Sequence, residues 1–569
     1  NMPAKLPSTV AEIKDWPWSQ LEPFYAELGS RALTSATLAA WMADWSDLQR
    51  LVSEWFSRLS VAITVDTTDQ EAERRYKQYL DEIYPRANEW NQKLKEKLLA
   101  SGLEPTGFAV PLRNMRTEAA IFRQENLALE SEELKLGTEF DKTIGAQTVQ
   151  WEGQELTISQ LRPIYLDPDR SRREKAWRLG SQRQLADRQT LNGLFNKFLA
   201  LRRQMAANAG FSDYRAYRWK QYLRFDYTPE NCRQFHTAIE QVVVPAAEKI
   251  YARRKAQLGV DSLRPWDLEV DPLDRPALRP FSEIPVLEGT VESIFHNVDD
   301  QLGKYFGIMR REKLLDLENR KGKAPGGYCT DFSAVKRPFI FMNAVGLHDD
   351  VQTLLHEGGH SFHVFETASL PYYQQLQVPM EFAEVASMGM ELLAAPYLAD
   401  EQGGFYTPAD AARARIEHLE GCILFWPYMA VVDAFQHWVY ENPDAAVDSA
   451  RCDQTWGGLW DRFMRGVDWS GLEEEKITGW HRKLHIFQVP FYYVEYGLAQ
   501  LGAMQIWRNA LQDQAKAVAN YRKALALGGT VTLPELYTAA GAKFTFDPQT
   551  LGEVVDLAME TIDELEKVG

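Results

Sequence analysis

The segment that most constrains this chain is 351–366, VQTLLHEGGHSFHVFE, in which two histidines and a glutamate stand among helix-forming residues. Apolar residues recur at helical spacing, and Asp349 or Asp350 can cap the start, so the pattern predicts a helix over this whole segment. Gly358 and Gly359 each cost such a helix about 1 kcal/mol relative to alanine. The glycine pair therefore predicts that another part of the chain approaches this helix closely.

The two histidines, His356 and His360, lie one turn apart on such a helix, about 40° apart in projection. Two imidazoles in this arrangement can share one tetrahedral zinc ion that keeps a position open for water. Glu357 projects about 60° from His360, within reach of that water but away from the metal. Zinc lowers the pKa of a bound water to about 7, and the carboxylate can take the proton as the water attacks a carbonyl. The competing interpretation is a helix with two histidines on a buried polar face.

A zinc site of this kind needs a third protein ligand. His363 lies on the same helix face but about 10 Å along the axis from the first histidine, so we expect it beside the ligands or in the core. The segment 379–393, PMEFAEVASMGMELL, predicts a second helix with three glutamates on one face. Any of Glu381, Glu384 and Glu391 can be the third ligand, or a buried hydrogen-bond partner of the histidines.

Most of the remaining chain has helical periodicity. Residues 69–100 carry apolar side chains at helical spacing, and Pro85 predicts a kink or a break within them. A final helix is predicted to start at Pro548 with Asp547 as its cap.

Strand signals are few. Residues 147–157 predict a hairpin, and 337–345, RPFIFMNAV, are rich in strand formers. The proline-rich stretch 258–290 predicts a long connection. We therefore expect a mainly α protein with a small sheet, in which an N-terminal helical region, 1–110, precedes a catalytic region, 111–569.

The composition excludes some classes of function. Lys and Arg number 63 and Asp and Glu number 80, giving a formal charge of −17, which disfavours binding to nucleic acid and to anionic membranes. The four cysteines have no CxxC spacing, no run of about 18 apolar residues occurs, and the start lacks a signal-like apolar stretch. These features predict free thiols, no membrane span and a cytoplasmic location.

The runs TLLHEGGHSFH and EFAEVAS resemble the thimet oligopeptidase and oligoendopeptidase F family of zinc metallopeptidases, in particular its Pz-peptidase-like bacterial branch. In that family the third ligand is the glutamate of the FxEx(A/P)S segment, which is Glu384 here. The resemblance implies one Zn²⁺ per chain, held by His356, His360 and Glu384 within a site that spans 356–384. It places Glu381 next to the ligands.

Two further segments resemble parts of the family's substrate cleft. GGYCTDF, 326–332, and the strand-like 337–345 resemble the loop and the edge strand beside that cleft. The resemblance implies that Gly326, Gly327 and Tyr328 meet the substrate, and that the edge strand pairs with an extended peptide.

The segment 481–500, HRKLHIFQVPFYYVEYGLAQ, combines a histidine with an aromatic cluster, which is compatible with core packing or with donors for a developing oxyanion. The resemblance implies the second role, with His485 and Tyr496 as the best matches and Tyr493 or Tyr492 next. The segment departs from the glycine-rich loop of the thimet branch. Five other histidines fit no metal spacing, and we expect structural or surface positions for them: His236, His296, His348, His418 and His437.

Together these features predict a mainly α, two-lobed helical zincin-type metallopeptidase with a small β-sheet beside a deep substrate channel. The expected activity is zinc-dependent endoproteolysis of short unfolded oligopeptides. The sequence leaves open whether the protein is a monomer or a homodimer. Two alternatives remain at this point: a helical zinc carboxypeptidase and a non-catalytic peptide-binding relative.

Overall fold

The N-terminal part of the chain forms a helical lobe with its own core. The computed structural model describes residues 5–568. Six helices build this first lobe: α1 (Val10–Ile13), α2 (Trp18–Ser30), α3 (Leu38–Val65), α4 (Gln70–Glu82), α5 (Tyr84–Ser101) and α6 (Ala109–Ile121). Their core contains the fully buried rings of Tyr25, Trp41 and Trp45. The predicted helix over 69–100 is confirmed and is divided at Ile83, because Pro85 occupies the first turn of α5.

A larger second core is formed by the rest of the chain. Its helices are α7 (Asn126–Gly145), α8 (Arg170–Ala186), α9 (Arg188–Asn208), α10 (Tyr214–Gln221), α11 (Pro229–Val242), α12 (Val244–Leu258), α13 (Ile284–Val298), α14 (Asp300–Arg311), α15 (His348–Glu366), α16 (Met380–Ala394), α17 (Pro408–Glu441), α18 (Pro443–Ala446), α19 (Ser449–Phe463), α20 (Glu473–Ile477), α21 (Leu484–Gln488), α22 (Val494–Gln512), α23 (Gln514–Ala526), α24 (Leu533–Ala539) and α25 (Pro548–Glu566). The Asp547 carboxylate accepts the N–H groups of Gln549 and Thr550, which confirms the predicted cap of α25. The expected mainly α, two-lobed architecture is confirmed.

The predicted hairpin is confirmed as β1 (Thr148–Trp151) and β2 (Gln154–Thr157), which pair antiparallel. Its two turn residues, Glu152 and Gly153, both have positive φ, 51° and 81°. This is the backbone twist that joins two strands through a two-residue turn.

A second sheet of three strands lies between the two lobes. It consists of β3 (Leu315–Glu318), β4 (Tyr328–Phe332) and β5 (Arg337–Ala344), in the order β3-β5-β4. The expectation that 337–345 is an edge strand is wrong, because β5 pairs with β3 on one side and with β4 on the other. The two edge strands are β3 and β4, and the sequence had placed the residues of β4 in a loop. The apolar character of β5 reflects its central position.

The long connection predicted over 258–290 is confirmed as far as Glu283, the residue before α13. A buried aspartate, Asp267, organises it. The guanidinium of Arg173, also buried, lies 3.0 Å from the Asp267 carboxylate and donates to the Trp266 carbonyl at 2.9 Å. Within residues 5–568, no helix combines the length and the apolarity needed to cross a membrane.

Helix α15 begins at His348, three residues before the predicted start, and Asp350 has a different role from the one expected. Its carboxylate accepts the N–H groups of Val345, Gly346 and Leu347. The aspartate therefore ties the turn after β5 to the first turn of α15, instead of standing before the helix as its cap.

The glycine pair of α15 permits two close approaches. A Cβ on Gly359 would lie 2.4 Å from the carbonyl oxygen of Ala386 in α16, and one on Gly358 would lie 2.5 Å from the ring of Phe295 in α13. Both distances are shorter than a carbon atom tolerates. The predicted close approach is confirmed, and it brings the backbones of α15 and α16 together.

Replacing Gly359 by alanine is expected to destabilise the fold by about 1–3 kcal/mol, because the added methyl group meets backbone that cannot rotate away. Gly193, inside α9, offers a matched control, since a Cβ there meets no atom within 4 Å. Gly193→Ala is expected to be neutral or to stabilise by up to about 1 kcal/mol. Urea unfolding midpoints of both variants measure the difference, and equal midpoints would contradict the role of Gly359.

Candidate metal centre

Three side chains from α15 and α16 converge at the close approach of these helices. The Glu384 carboxylate lies 3.5 Å from Nε2 of His356 and 3.8 Å from Nε2 of His360. One ligand atom from each of the three residues lies within 4.8 Å of the others. The two imidazole rings are nearly perpendicular, at 82°, with centroids 5.1 Å apart. Two imidazoles and one carboxylate in this arrangement fit a zinc ion with one open coordination position.

The charges around these ligands favour a cation. Burial lowers the pKa of His360 to about 3, so its imidazole is neutral and able to bind metal. Burial also lowers the pKa of His356, but Glu391 and then Glu384 outweigh it and raise the value to about 9. A proton on His356 thus compensates these carboxylates, and a divalent cation would replace that proton.

A second carboxylate contacts His356 at Nδ1, the ring nitrogen that does not lie towards Glu384. Glu391 lies 3.6 Å from Nδ1 of His356 and 3.7 Å from Nε2 of His418. Burial opposes ionisation of Glu391, but its contacts with the two histidines lower its pKa to about 2. A carboxylate at Nδ1 fixes the ring orientation and leaves Nε2 for the metal. Glu391 was one of three open candidates in the sequence. His418, on α17, is a partner that no local spacing could have revealed.

The two residues that the sequence placed beside the ligands have other contacts. Glu381 accepts a hydrogen bond from the Tyr227 hydroxyl at 2.9 Å and lies 4.0 Å from Nε of Arg224. His363 is buried against the ring of Phe382. Its Nε2 has no hydrogen-bond partner among residues 5–568. Neither side chain belongs to the group of converging ligand atoms.

Glu357 is half-buried beside these ligands on α15. Burial raises the pKa of its carboxyl group, and His356 opposes that rise. No residue in the described part of the chain forms an ion pair or a hydrogen bond with its carboxylate. A glutamate kept without a fixed partner is free to exchange a proton with a ligand.

The segment around His485 supplies three tyrosines, which do not face the same way. Burial is the main cause of the raised pKa of Tyr492 and of Tyr496, and the charge of Glu384 makes a smaller contribution in both. Their rings lie 5.4 Å apart. Tyr493 is only 6% exposed and packs edge-on against Phe425. Tyr493 therefore lies in the core, whereas Tyr492 and Tyr496 remain partly exposed.

His485 lies among the same tyrosines, with its ring 4.9 Å from Tyr493 and 6.2 Å from both Tyr492 and Tyr496. Burial lowers its pKa to about 4, so the imidazole is neutral at pH 7. Its Nδ1 is buried and has no hydrogen-bond partner within residues 5–568. This nitrogen remains free to act as a donor or an acceptor.

The edge strand β4 borders α15. Gly326, before the strand, has φ 93°, and a Cβ on Gly327 would lie 3.3 Å from the Phe341 carbonyl. The Tyr328 ring stacks on Phe341 at 4.7 Å, and its hydroxyl bonds to Thr64 of α3 at 2.6 Å. Tyr328 thus joins the sheet to the N-terminal lobe.

A cavity of about 550 Å³ lies between the two lobes. Arg50 and Met115 line it from the N-terminal lobe, and His360, His363 and Val364 line it from α15. The cavity therefore gives His360 access to the space between the lobes.

Comparisons with known proteins agree with this architecture. Residues 165–554 match the family model "Peptidase family M3", and residues 13–106 match "Peptidase M3 N-terminal domain". An oligoendopeptidase F homolog from Borreliella burgdorferi is 22% identical over 337 residues, which cover 57% of this chain and 54% of that protein. Oligopeptidase PepF from Bacillus subtilis is 23% identical over 334 residues, covering 57% and 47%. The chain thus spans about half the length of the curated relatives it matches.

A solved structure, PZ peptidase A with inhibitor 2, superposes on this chain with a TM-score of 0.84 and 26% identity, covering 97% of this chain and 98% of that one. The structural likeness therefore extends over both lobes, beyond the half that the sequence comparisons cover. Because the M3 family model spans well over half of its residues, the chain belongs to peptidase family M3.

Proposed function

We propose that this protein is a zinc-dependent endopeptidase that hydrolyses peptide bonds in short, unfolded oligopeptides. The observation that carries the proposal is the convergence of His356, His360 and Glu384, with the unpartnered carboxylate of Glu357 on the same helix. The three converging residues would hold the zinc ion. When bound, zinc would polarise the scissile carbonyl and lower the pKa of a water molecule.

Glu357 serves as the proton carrier in this proposal. Its carboxylate takes a proton from the attacking water and delivers it to the nitrogen of the leaving amine. Burial raises the pKa of this glutamate, which makes it a better base than an exposed glutamate. No residue in the described part of the chain donates a hydrogen bond to this carboxylate, which keeps it available for both transfers.

The tyrosine hydroxyls are proposed to stabilise the charge on the carbonyl oxygen of the scissile bond. The carbonyl oxygen gains negative charge as water attacks, and the charge is stabilised by donors already in place. Tyr496 and Tyr492, which are partly exposed beside His485, are the proposed donors, and neutral His485 assists them. Tyr493 is assigned to packing because its ring lies in the core.

The substrate class follows from the space around the site. The open edge of β4 offers backbone N–H and C=O groups to a strand-like peptide, and it runs beside α15. The cavity between the lobes, about 550 Å³, is too small to hold a folded domain. Short unfolded peptides are therefore the proposed substrates.

The experiment that tests this function uses quenched fluorescent peptides of graded length, each with a free or an amidated C-terminus. We expect internal cleavage of both forms and loss of cleavage after zinc is removed by a chelator. An endopeptidase needs no free terminal carboxylate, whereas a carboxypeptidase does. Cleavage confined to the last residue of free peptides would point to the carboxypeptidase alternative, and zinc binding without cleavage would point to a peptide-binding protein.

The substitution Glu357→Gln removes the base and keeps the shape of the side chain. We expect turnover to fall by about 10²- to 10⁴-fold, because general-base catalysis contributes that much. The zinc content, measured by mass spectrometry of the metal, should match that of the wild type. Near-normal turnover at full zinc occupancy is the result that would remove Glu357 from the mechanism.

Glu384→Ala removes a proposed ligand. Glu391→Gln is the comparison, because it changes the carboxylate that contacts Nδ1 of His356 without removing a proposed ligand. We expect Glu391→Gln to weaken zinc binding by about 10- to 100-fold. Glu384→Ala should weaken it further, because a direct ligand is lost. Competition with a chromogenic chelator measures both affinities. Equal zinc affinity in Glu384→Ala and the wild type would show that another carboxylate is the ligand.

A further inference from the structure

Three arginines from one stretch of chain, which we call the arginine cluster, donate to the backbone just before the candidate tyrosines. The cluster consists of Arg202 on α9, Arg218 on α10 and Arg224 just after α10. The donor–acceptor pairs are Arg202 with the Phe487 carbonyl, Arg218 with the Pro490 carbonyl at 3.3 Å, and Arg224 with the Phe491 carbonyl. The chain segment 487–491 is thus held at three carbonyls by cations from elsewhere in the sequence.

Of the three arginines, Arg224 also lies close to α16, the helix that carries the proposed ligand Glu384. Its side chain is 1% exposed and lies 3.1 Å from Glu495, on α22, and 4.0 Å from Glu381, on α16. A buried cation is costly unless it is paired, and these two carboxylates pair it. Burial and the charge of Glu381 raise the pKa of Glu495. One guanidinium therefore joins the first turn of α16, three residues before Glu384, to the first turn of α22, one residue before Tyr496.

The backbone at Phe491 shows why such a tie is needed. Phe491 has φ 66°, a left-handed conformation that a residue with a bulky side chain avoids. Its carbonyl is held by Arg224, and its N–H donates to Oε1 of Gln436 at 2.8 Å. Strained backbone persists only where its surroundings impose it, and here it immediately precedes Tyr492.

We infer that Arg224 is a positioning residue that fixes Tyr492 and Tyr496 relative to Glu384 in the candidate metal centre. It does so by holding Phe491 in its left-handed conformation and by linking α22 to α16. Arg224 is buried and does not itself meet a substrate. The inference rests on the proposed function, because it assigns those tyrosines to the reaction. The competing explanation is that Arg224 contributes only to overall stability.

The test is a double-mutant cycle in which Arg224→Lys is combined with Tyr496→Phe. Lysine keeps the positive charge, but its single ammonium cannot span Glu495, Glu381 and the Phe491 carbonyl as the planar guanidinium does. We expect Arg224→Lys to lower kcat by about 10- to 100-fold, as a displacement of about 1 Å does, with KM within about threefold of the wild type. In the Tyr496→Phe background the same substitution should lower kcat by less than about threefold, because the group it positions is already gone.

Arg173→Met is the matched control for Arg224→Met. Arg173 is also a buried arginine that pairs with a buried carboxylate and donates to a backbone carbonyl, but it acts on the connection after α12. If positioning is the role, Arg224→Met lowers kcat far more than Arg173→Met at a similar loss of Tm, with zinc content unchanged in both. Equal losses of kcat, or an Arg224→Lys effect that is the same with and without Tyr496, would overturn the inference.

Hydrogen exchange gives a readout that is independent of activity. Amides of 487–496 should exchange faster in Arg224→Met than in the wild type and be unchanged in Arg173→Met. If Arg224→Met does not fold, Arg224→Lys and Gln436→Leu decide the question by the same measurement, since both loosen the hold on Phe491. A wild-type protein that lacks zinc and cleaves nothing would refute the proposed function, and exchange that is unaltered in every folded variant would refute the positioning role.

Discussion

The contact between α15 and α16 at Gly359 is the constraint on which the site depends. The two histidines on α15 and the glutamate on α16 come together where glycine at position 359 lets the two backbones pack closely. A Cβ at this position would overlap the Ala386 carbonyl, and Glu384 lies only two residues before that carbonyl. Glycine at position 359 destabilises α15 by about 1 kcal/mol relative to alanine, and it permits the close contact that brings the three candidate ligands together.

Charge pairing then fixes the orientation of the groups around this contact. Glu391 contacts Nδ1 of His356 and also Nε2 of His418. The other ring nitrogen of His356, Nε2, therefore lies towards Glu384. On the other side, Arg224 connects Glu381 with Glu495. The three glutamates on α16 therefore have different contacts: Glu384 is the proposed ligand, Glu391 contacts the proposed ligand His356, and Glu381 connects the helix to the tyrosine segment through Arg224.

The sequence predicted the parts of the site that depend on local periodicity. The one-turn spacing of His356 and His360 placed both on one helix face, and the glycine pair predicted a close neighbour. The resemblance to the oligoendopeptidase F family selected Glu384. The sequence did not reveal the partner of Glu391, because His418 comes from a helix that begins after α16 has ended. Contacts of that kind depend on the packing of distant elements.

The errors have equally physical causes. β5 was placed at a sheet edge because β3, only four residues long and half charged, carries almost no strand signal. The roles of Tyr492 and Tyr493 could not be separated, because they depend on the left-handed turn at Phe491, which a non-glycine residue does not predict.

The central claim is that His356, His360 and Glu384 together hold a zinc ion. A crystal structure with diffraction data collected on both sides of the zinc absorption edge tests it most directly. The account predicts one strong anomalous peak that vanishes below the edge, about 2.0–2.2 Å from Nε2 of each histidine and from a Glu384 oxygen. A zinc-supplemented, active crystal with no peak there, or with the peak at other ligands, would contradict it.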